Sequence, residues 1–469
     1  MRELQRKRFF WTVILVCIVV SSGADLFNPA LPSIQKHFAL DFQQTSWVLN
    51  ANFAGFCAVT VIAGILGDRF EKRALVVVGL ALFMAGSLLA MDASSFGMLL
   101  FGRFIQGVGA AFPSVLVFLV LIEQSPASMH AKLSGMVSGT VTVATCLAPL
   151  AGTFIAGTWG WRTSFGMLFS VAACAACCAM AFLPASPKSV SGTVSRSSYR
   201  PIVSSGEWWV LAIIVNLLRG SFLAFASISS MLYIAELGTD RRAFGLYQGA
   251  LTLAFALTSA VSGRVLKSLG ATRTVAASLL AMPVVSGLML AYVLAASAPS
   301  ALVITAFMVT ISVFVVFPLN VLHLRSLSVV PGVLGRASAA SNVFKLCATG
   351  FLVWCFALPT GNRTAWIAAL LFVSYFTCLC VFLLARRGAD WLSPIPETIA
   401  SGRPPFDQAV RADRLRLGYR HRARPTRICN AQHAPDKSVA HLPAHQEPAR
   451  CRDPARAHQA REHGEVSRN

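Results

Sequence analysis

Long apolar runs separated by short polar breaks fill this chain from about residue 9 to residue 385. The runs cover approximately 9–31, 44–66, 74–92, 96–122, 133–157, 163–183, 207–234, 243–266, 273–296, 299–323, 337–358 and 364–385. Each is close to the roughly 20 residues that a helix needs to cross ~30 Å of hydrocarbon. In lipid a lone segment satisfies its own backbone only as a helix. The pattern therefore predicts an all-α membrane protein with twelve transmembrane helices. The longest break before the tail is 184–206, where Pro184, Pro187, Lys188, Arg196 and Arg200 stand among Ser and Gly. It divides the helices six and six, into two pseudo-symmetric bundles. The expected organisation is an N-terminal six-helix bundle (1–183), a cytoplasmic linker (184–206), a C-terminal six-helix bundle (207–385) and a disordered basic tail (386–469).

Charge sharpens this picture. Only 13% of the 469 residues are charged and 55% are hydrophobic, whereas soluble domains average about 25% charged. Sixteen of the forty Lys and Arg lie in 386–469. Outside the tail, and leaving aside the three bases inside the spans, sixteen bases fall in loops of one side, among them Arg69, Lys72, Arg73, Lys132, Arg200 and Arg325. Five fall on the other: Lys36, Arg162, Arg241, Arg242 and Arg363. This asymmetry predicts a cytoplasmic N-terminus, and an even number of helices returns the C-terminus to the same side. The bases are expected to meet anionic lipid headgroups, not nucleic acid. Residues 1–24 mimic a signal peptide, but the apolar run continues to about Leu31, so the segment is expected to remain as the first helix. The tail's Arg, His, Pro and Ala resemble nothing upstream. Its composition fits either a cytoplasmic tail or translation out of the native frame, and it is assigned no role.

The break between the second and third runs reads Gly-Ile-Leu-Gly-Asp-Arg-Phe-Glu-Lys-Arg over 64–73. Two glycines, two acids and three bases exceed what a solvated connector needs. The stretch resembles the corresponding loop of the major facilitator superfamily of transporters at Gly64, Asp68, Arg69, Lys72 and Arg73, and departs from it at Glu71, where that family has glycine. The resemblance implies a cytoplasmic gate in which an acid at a helix end faces a helix N-terminus and the bases pair with an acid elsewhere. Glu123, at the end of the fourth helix, is the expected partner. Ser262–Gly270 echoes the turn in the second half, without the acid, as internal repeats of transporters do.

Further residues carry the same resemblance over roughly 9–385. The fourth helix contains Arg103-Phe-Ile-Gln106-Gly107-Val-Gly109, similar to the family's Arg-x-x-Gln-Gly-x-Gly motif. Its arginine is associated there with proton coupling. The fifth helix contains Ala148-Pro149-Leu-Ala-Gly152, similar to the family's antiporter motif with alanine at three glycine sites. Small residues let helices approach closely and proline supplies a bend. The motif implies export. Asp25 opens Asp-Leu-Phe-Asn28-Pro-Ala-Leu-Pro32, which resembles the bicyclomycin-resistance-like branch of drug:proton antiporters, with Asn28 at a usual leucine. Counted along their helices, Asp25 and Arg103 share a depth. A carboxylate in a low-dielectric cleft resists ionisation and a nearby cation restores it, so Asp25 and Arg103 are the expected proton-coupling residues.

Two more bases fall inside spans: Arg219 in the seventh and Lys345 in the eleventh. Together with Asn28, Gln106 and Asn342 they are expected at the substrate cavity. Three bases against one acid favour an anionic substrate over a lipophilic cation. His323 is isolated in sequence and is read as polar packing. The twelve cysteines, including Cys174, Cys177 and Cys178, are read as small apolar packing residues, not as metal ligands. No metal-protease motif, nucleophile elbow or phosphate loop occurs in the spans, so no enzymatic role and no cofactor is expected. The expectation is a proton-coupled exporter of small molecules of multidrug type, acting as a monomer in a bacterial inner membrane. The alternative is a dedicated exporter of an anionic metabolite such as a carboxylate siderophore or an amino-acid derivative.

Overall fold

A computed structural model describes residues 3–125, 129–185, 200–329, 334–358 and 361–386. Most of the 184–206 linker and all but the first residue of the tail lie outside that range. The described part is helical: α1 (Glu3–Asp25), α2 (Leu31–His37), α3 (Phe42–Arg69), α4 (Lys72–Met91), α5 (Phe96–Glu123), α6 (His130–Trp159), α7 (Trp161–Phe182), α8 (Arg200–Val203), α9 (Gly206–Ser230), α10 (Arg241–Leu269), α11 (Ala271–Ala295), α12 (Ala301–Ser328), α13 (Leu334–Phe356) and α14 (Arg363–Arg386). Ten helical stretches are long and apolar enough to cross a membrane; α6 and α13 carry shorter apolar stretches, Leu147–Thr158 and Ala340–Phe356. Joining α1 with α2 and setting the one-turn α8 aside, the helices number twelve, in two six-helix bundles.

Two spans are less regular than the apolar pattern predicts. The first does not end near 31. It breaks into a 3-10 turn at Asn28–Ala30 and resumes as α2 to His37. Pro29 and Pro32 have no N–H to give a continuous α-ladder, so the break is local chemistry. The seventh helix, α9, passes into a π-helical turn, Met231–Glu236. At the start of α3, Asp41 accepts from the Gln44 amide and Gln44 returns the bond to Asp41 N–H, a reciprocal cap that fixes where the second span begins.

Within the first bundle, small residues set how close the helices come. A Cβ added at Gly107 of α5 would collide with the Asn52 carbonyl of α3, and Asn52 Nδ2 donates back to Arg103 O at 3.2 Å. Without a hydrophobic effect between helices in lipid, such backbone-to-backbone packing carries much of the association. Large apolar side chains that remain exposed, such as Phe154, Leu246 and Leu257, suit a hydrocarbon solvent.

The two bundles pack along α3 against α13 and α6 against α10, and their stronger polar bridges lie at one end. We call the end holding the α3–α4 turn the linker end, and the opposite end the far end. At the far end Ser230 Oγ donates to Asn28 O at 2.6 Å. Arg241 donates to Ser33 Oγ at 2.7 Å and to Ala156 O at 3.5 Å. Arg363 lies 4.5 Å from the Phe42 ring centroid while pairing with Glu236 of its own bundle. At mid-height, Cys57 of α3 and Cys347 of α13 bring their sulfurs to 3.9 Å. At the linker end the ion pairs Lys72–Glu123 and Arg325–Glu207 each stay within one bundle. The far end is thus bridged between bundles by polar contacts, whereas the linker-end pairs brace each bundle separately.

Gly107→Val should lower the melting temperature of the detergent-purified protein by several degrees or prevent folding, because overpacking costs about 1–3 kcal/mol or more and backbone cannot yield as a side chain does. Gly64→Ala, where an added Cβ meets open space, should melt like the parent. Equal melting of both variants would contradict the packing described.

Candidate functional site

Arg103 projects from α5 into the centre of the first bundle and has no solvent exposure. Its Nε donates to Val48 O at 3.3 Å and its Nη1 to Gly23 O at 3.4 Å. Nη1 also donates to Gln106 Oε1 one turn later on the same helix. The guanidinium lies 3.9 Å from the Phe27 ring centroid, and Phe27 stacks on Phe165 at 5.7 Å. Nη2 is buried with no partner. A cation here would be costly if unpaired. Carbonyl dipoles, one amide oxygen and an aromatic face share the task, the last worth up to about 2 kcal/mol when desolvated.

This contact with α1 bears on Asp25. Gly23 O, which Arg103 reaches, is two residues before Asp25, so the Asp25 backbone lies roughly 3 Å further along, where α1 ends. The Arg103 guanidinium thus reaches backbone close to Asp25; the Asp25 side chain lies outside the described residues. Gln106 differs from its expected place at a cavity. It is fully enclosed, donating to Ser87 Oγ at 2.8 Å while accepting from Arg103. It positions the arginine. Asn28 sits in the break of the first span, 5% exposed, with its carbonyl bonded to Ser230 and its Oδ1 buried without a partner. It belongs to the far-end contact between bundles.

The turn at 64–73 is braced from two sides. Lys72 Nζ lies 3.1 Å from Glu123 Oε1, the partner expected from sequence. Arg73 donates to Met180 O at the end of α7. All of these groups belong to the first bundle. Glu71 precedes α4 with φ −62° and ψ 118°, a conformation open to any residue, so the glycine of the family pattern is not needed. Gly64 faces open space, and Arg69 is exposed. The Asp68 side chain lies outside the described residues.

In α6, Ala148 and Pro149 are buried, and Gly152 meets the break in the first span. A Cβ at Gly152 would collide with Leu26 O and come within 3.3 Å of Pro29 Cδ. Gly160, at φ +86°, turns the chain into α7, where Arg162 donates to Ala93 O at 3.0 Å and lies 4.3 Å from the Trp161 centroid.

In the second bundle, Lys345 Nζ donates to Asn342 Oδ1 at 3.2 Å. Arg219 and Lys345 lie near enough to His323 for their charges to act on it, so the histidine is less isolated than its place in the sequence suggests. Three helices bring these residues together, and no spacing along the chain could have announced it. Among the described residues, no group of three metal-ligating side chains forms.

Exchanging the charges of the braced pair tests it. Lys72→Glu alone should destabilise the purified protein by on the order of 1 kcal/mol, since Lys72 is nearly buried and its partner partly exposed. The double exchange Lys72→Glu with Glu123→Lys should recover part of that loss. Additive loss in the double variant would show that the pair contributes nothing.

Comparison with known proteins agrees with this architecture. The Major Facilitator Superfamily profile matches residues 13–353. A protein named multidrug resistance protein MdtL from Klebsiella pneumoniae is 24% identical over 257 residues, which are 54% of this chain and 65% of that relative, just under two thirds of its length. An MdtL protein from Citrobacter koseri is 22% identical over 387 residues, 82% of this chain and 97% of the relative. Among solved structures, a D-xylose-proton symporter superposes with a TM-score of 0.63 at 17% identity, covering 84% of this chain and 99% of the symporter. A bacterial homolog of the human lysosomal transporter Spinster gives 0.65 at 15% identity, covering 82% and 96%. With most of its length matched and twelve helices in two bundles, this chain belongs to the Major Facilitator Superfamily.

Proposed function

We propose that the protein is a proton-driven exporter of small molecules that works by alternating access. It resides as a monomer in a bacterial inner membrane, with both termini and the linker end in the cytoplasm. One observation carries the reading: Arg103, enclosed among backbone carbonyls, an amide oxygen and an aromatic ring, reaches the carbonyl two residues before Asp25. The MdtL relatives, named for multidrug resistance, support the export direction.

The chemistry follows from placing a carboxyl group near a fixed cation. Ionised Asp25 is attracted toward Arg103, and protonated Asp25 is not. A proton arriving from the far side neutralises the carboxylate and shifts the balance between the two arrangements of the bundles. Release of that proton to the linker side restores the pair. The small molecule binds between the bundles and favours the reverse exchange. Gly152 holds α6 against the break in the first span, so a change around Asp25 is felt where α6 meets α10. The α3–α4 turn stays braced within its bundle and travels with it as a rigid part. Export requires no covalent step.

Two measurements test this. In inside-out vesicles with an acidic lumen, gradient-dependent uptake of fluorescent test compounds of either charge, dansylglycine and ethidium, should fall at least roughly tenfold in Asp25→Asn for whichever compound the parent accumulates, because the asparagine cannot take up or release the proton. Normal gradient-dependent uptake in that variant would exclude Asp25 from the mechanism. Alternating access predicts a second outcome. Copper–phenanthroline, accepting the two electrons and leaving two thiol protons in solution, should join Cys57 to Cys347 and stop turnover until a reductant is added. Cys57→Ser should be insensitive. Full turnover of the joined protein would rule out movement at that seam.

A further inference from the structure

Arg219, His323 and Lys345 form a cluster of basic side chains with no acid among their described contacts. Among the described residues Arg219 makes no hydrogen bond or ion pair. His323 Nδ1 is buried with no partner. Lys345 has a single amide oxygen, that of Asn342. The charged groups that act on His323 among the described residues are both bases, Arg219 and Lys345. Lys345 also feels Arg219, and it lies close to Cys57 of the first bundle, so the cluster faces the seam between the bundles.

Helix direction explains the convergence. Helical side chains lean toward their own N-terminus. α9 and α13 start at the linker end, so Arg219 and Lys345 lean toward it. α12 runs the other way, so His323 leans back toward the bundle centre. At ~1.5 Å per residue the three heads meet roughly 10–15 Å inside the linker end. That is the half of the molecule away from the far-end bridges, where Cys57 Sγ donates across the seam to Val343 O at 4.0 Å.

Such a cluster is expensive. Arg103 also lies deep, but carbonyls and a ring surround it. The second-bundle bases, each only partly buried, instead stand together with no acid among their described contacts, and charges without counterparts inside a membrane span are rarely kept unless they line a wet cavity or bind something. An arginine fork beside two further donors suits a planar oxyanion, to which guanidinium can bind through two parallel hydrogen bonds.

We propose that the cluster is the recognition site for the exported molecule, and that this molecule carries a carboxylate or a comparable oxyanion. The site identifies the substrate class and rests on the export reading above. Arg219 supplies the fork, Lys345 the point charge that Asn342 orients, and His323 a neutral or charged donor at the linker-side rim. The oxyanion replaces the missing acid, so the loaded site is close to charge balance and the empty one is not.

The test is direct binding to full-length protein in nanodiscs, read by fluorescence, with two probes that differ only in charge: dansylglycine and dansylglycinamide. The parent should bind the carboxylate at least roughly tenfold more tightly than the amide, the discrimination a charge-assisted pair gives, and added salt should narrow the gap. Arg219→Gln and Lys345→Gln should erase the preference, whereas Lys345→Arg should keep it. Excess inorganic phosphate competing for the carboxylate probe would show that the site reads the oxyanion rather than the carbon skeleton. Failure of phosphate to compete narrows the class to carboxylates. Absence of saturable carboxylate binding, equal affinity for the two probes, or a preference that survives both Gln variants overturns the proposal. Binding needs no proton gradient, so loss of coupled uptake with intact discrimination would count against the export reading and leave this site standing.

Discussion

A charge inside a lipid-facing bundle has to find its counterpart in protein, and Arg103 shows how the first bundle is arranged around that requirement. Its neighbours come from four elements: Gly23 in α1, Phe27 just beyond it, Val48 in α3 and Gln106 in α5. Ser87 in α4 then holds Gln106, and Phe165 in α7 backs the aromatic face. Removing the guanidinium would take a hydrogen-bond donor away from α1, α3 and the Gln106 side chain at once. The close approach of α3 to α5 at Gly107 is what brings Val48 and Asn52 within reach of it.

The second bundle solves the same problem differently. Its polar groups are mostly settled within or between neighbouring helices. Asn216 donates to Ala212 O, Asn320 to Ser262 Oγ, and Thr305 to the Tyr233 hydroxyl. Against that background the unsatisfied group formed by Arg219, His323 and Lys345 stands out. One bundle therefore buries its charge as structure, and the other presents its charges toward the seam. That division fits a carrier in which coupling and recognition reside on opposite sides of one interface.

What could be read from the sequence follows the range of the interactions involved. Helix number and the midpoint division are encoded in runs of about twenty residues, so periodicity and composition reveal them. Lys72 and Glu123 were legible because each ends a helix at the same face, where a charge has few places to go. The break at Asn28–Ala30 was harder. Its two prolines are visible, but the apolar run continues through them and hides the interruption. Gln106 was misplaced because an intramembrane amide reads equally as lining or as support, and only Ser87 across the helix boundary decides between them. His323 was missed for a plainer reason. Its companions lie about a hundred residues away or on an antiparallel neighbour, and their meeting depends on which way each side chain leans.

The far-end contacts have a consequence for how easily this molecule changes shape. Arg363 keeps its carboxylate, Glu236, whatever the bundles do; only its hold on Phe42 is at stake. The remaining bridges are one hydroxyl on a carbonyl and one arginine shared between a hydroxyl and a carbonyl. Each such tie is worth about 0.5–3 kcal/mol, so these polar ties together amount to only several kcal/mol. One elementary charge falling through 100 mV releases about 2.3 kcal/mol. Polar ties of that strength lie within the scale of ordinary membrane energetics, and much stronger ones would resist any separation of the bundles at this end.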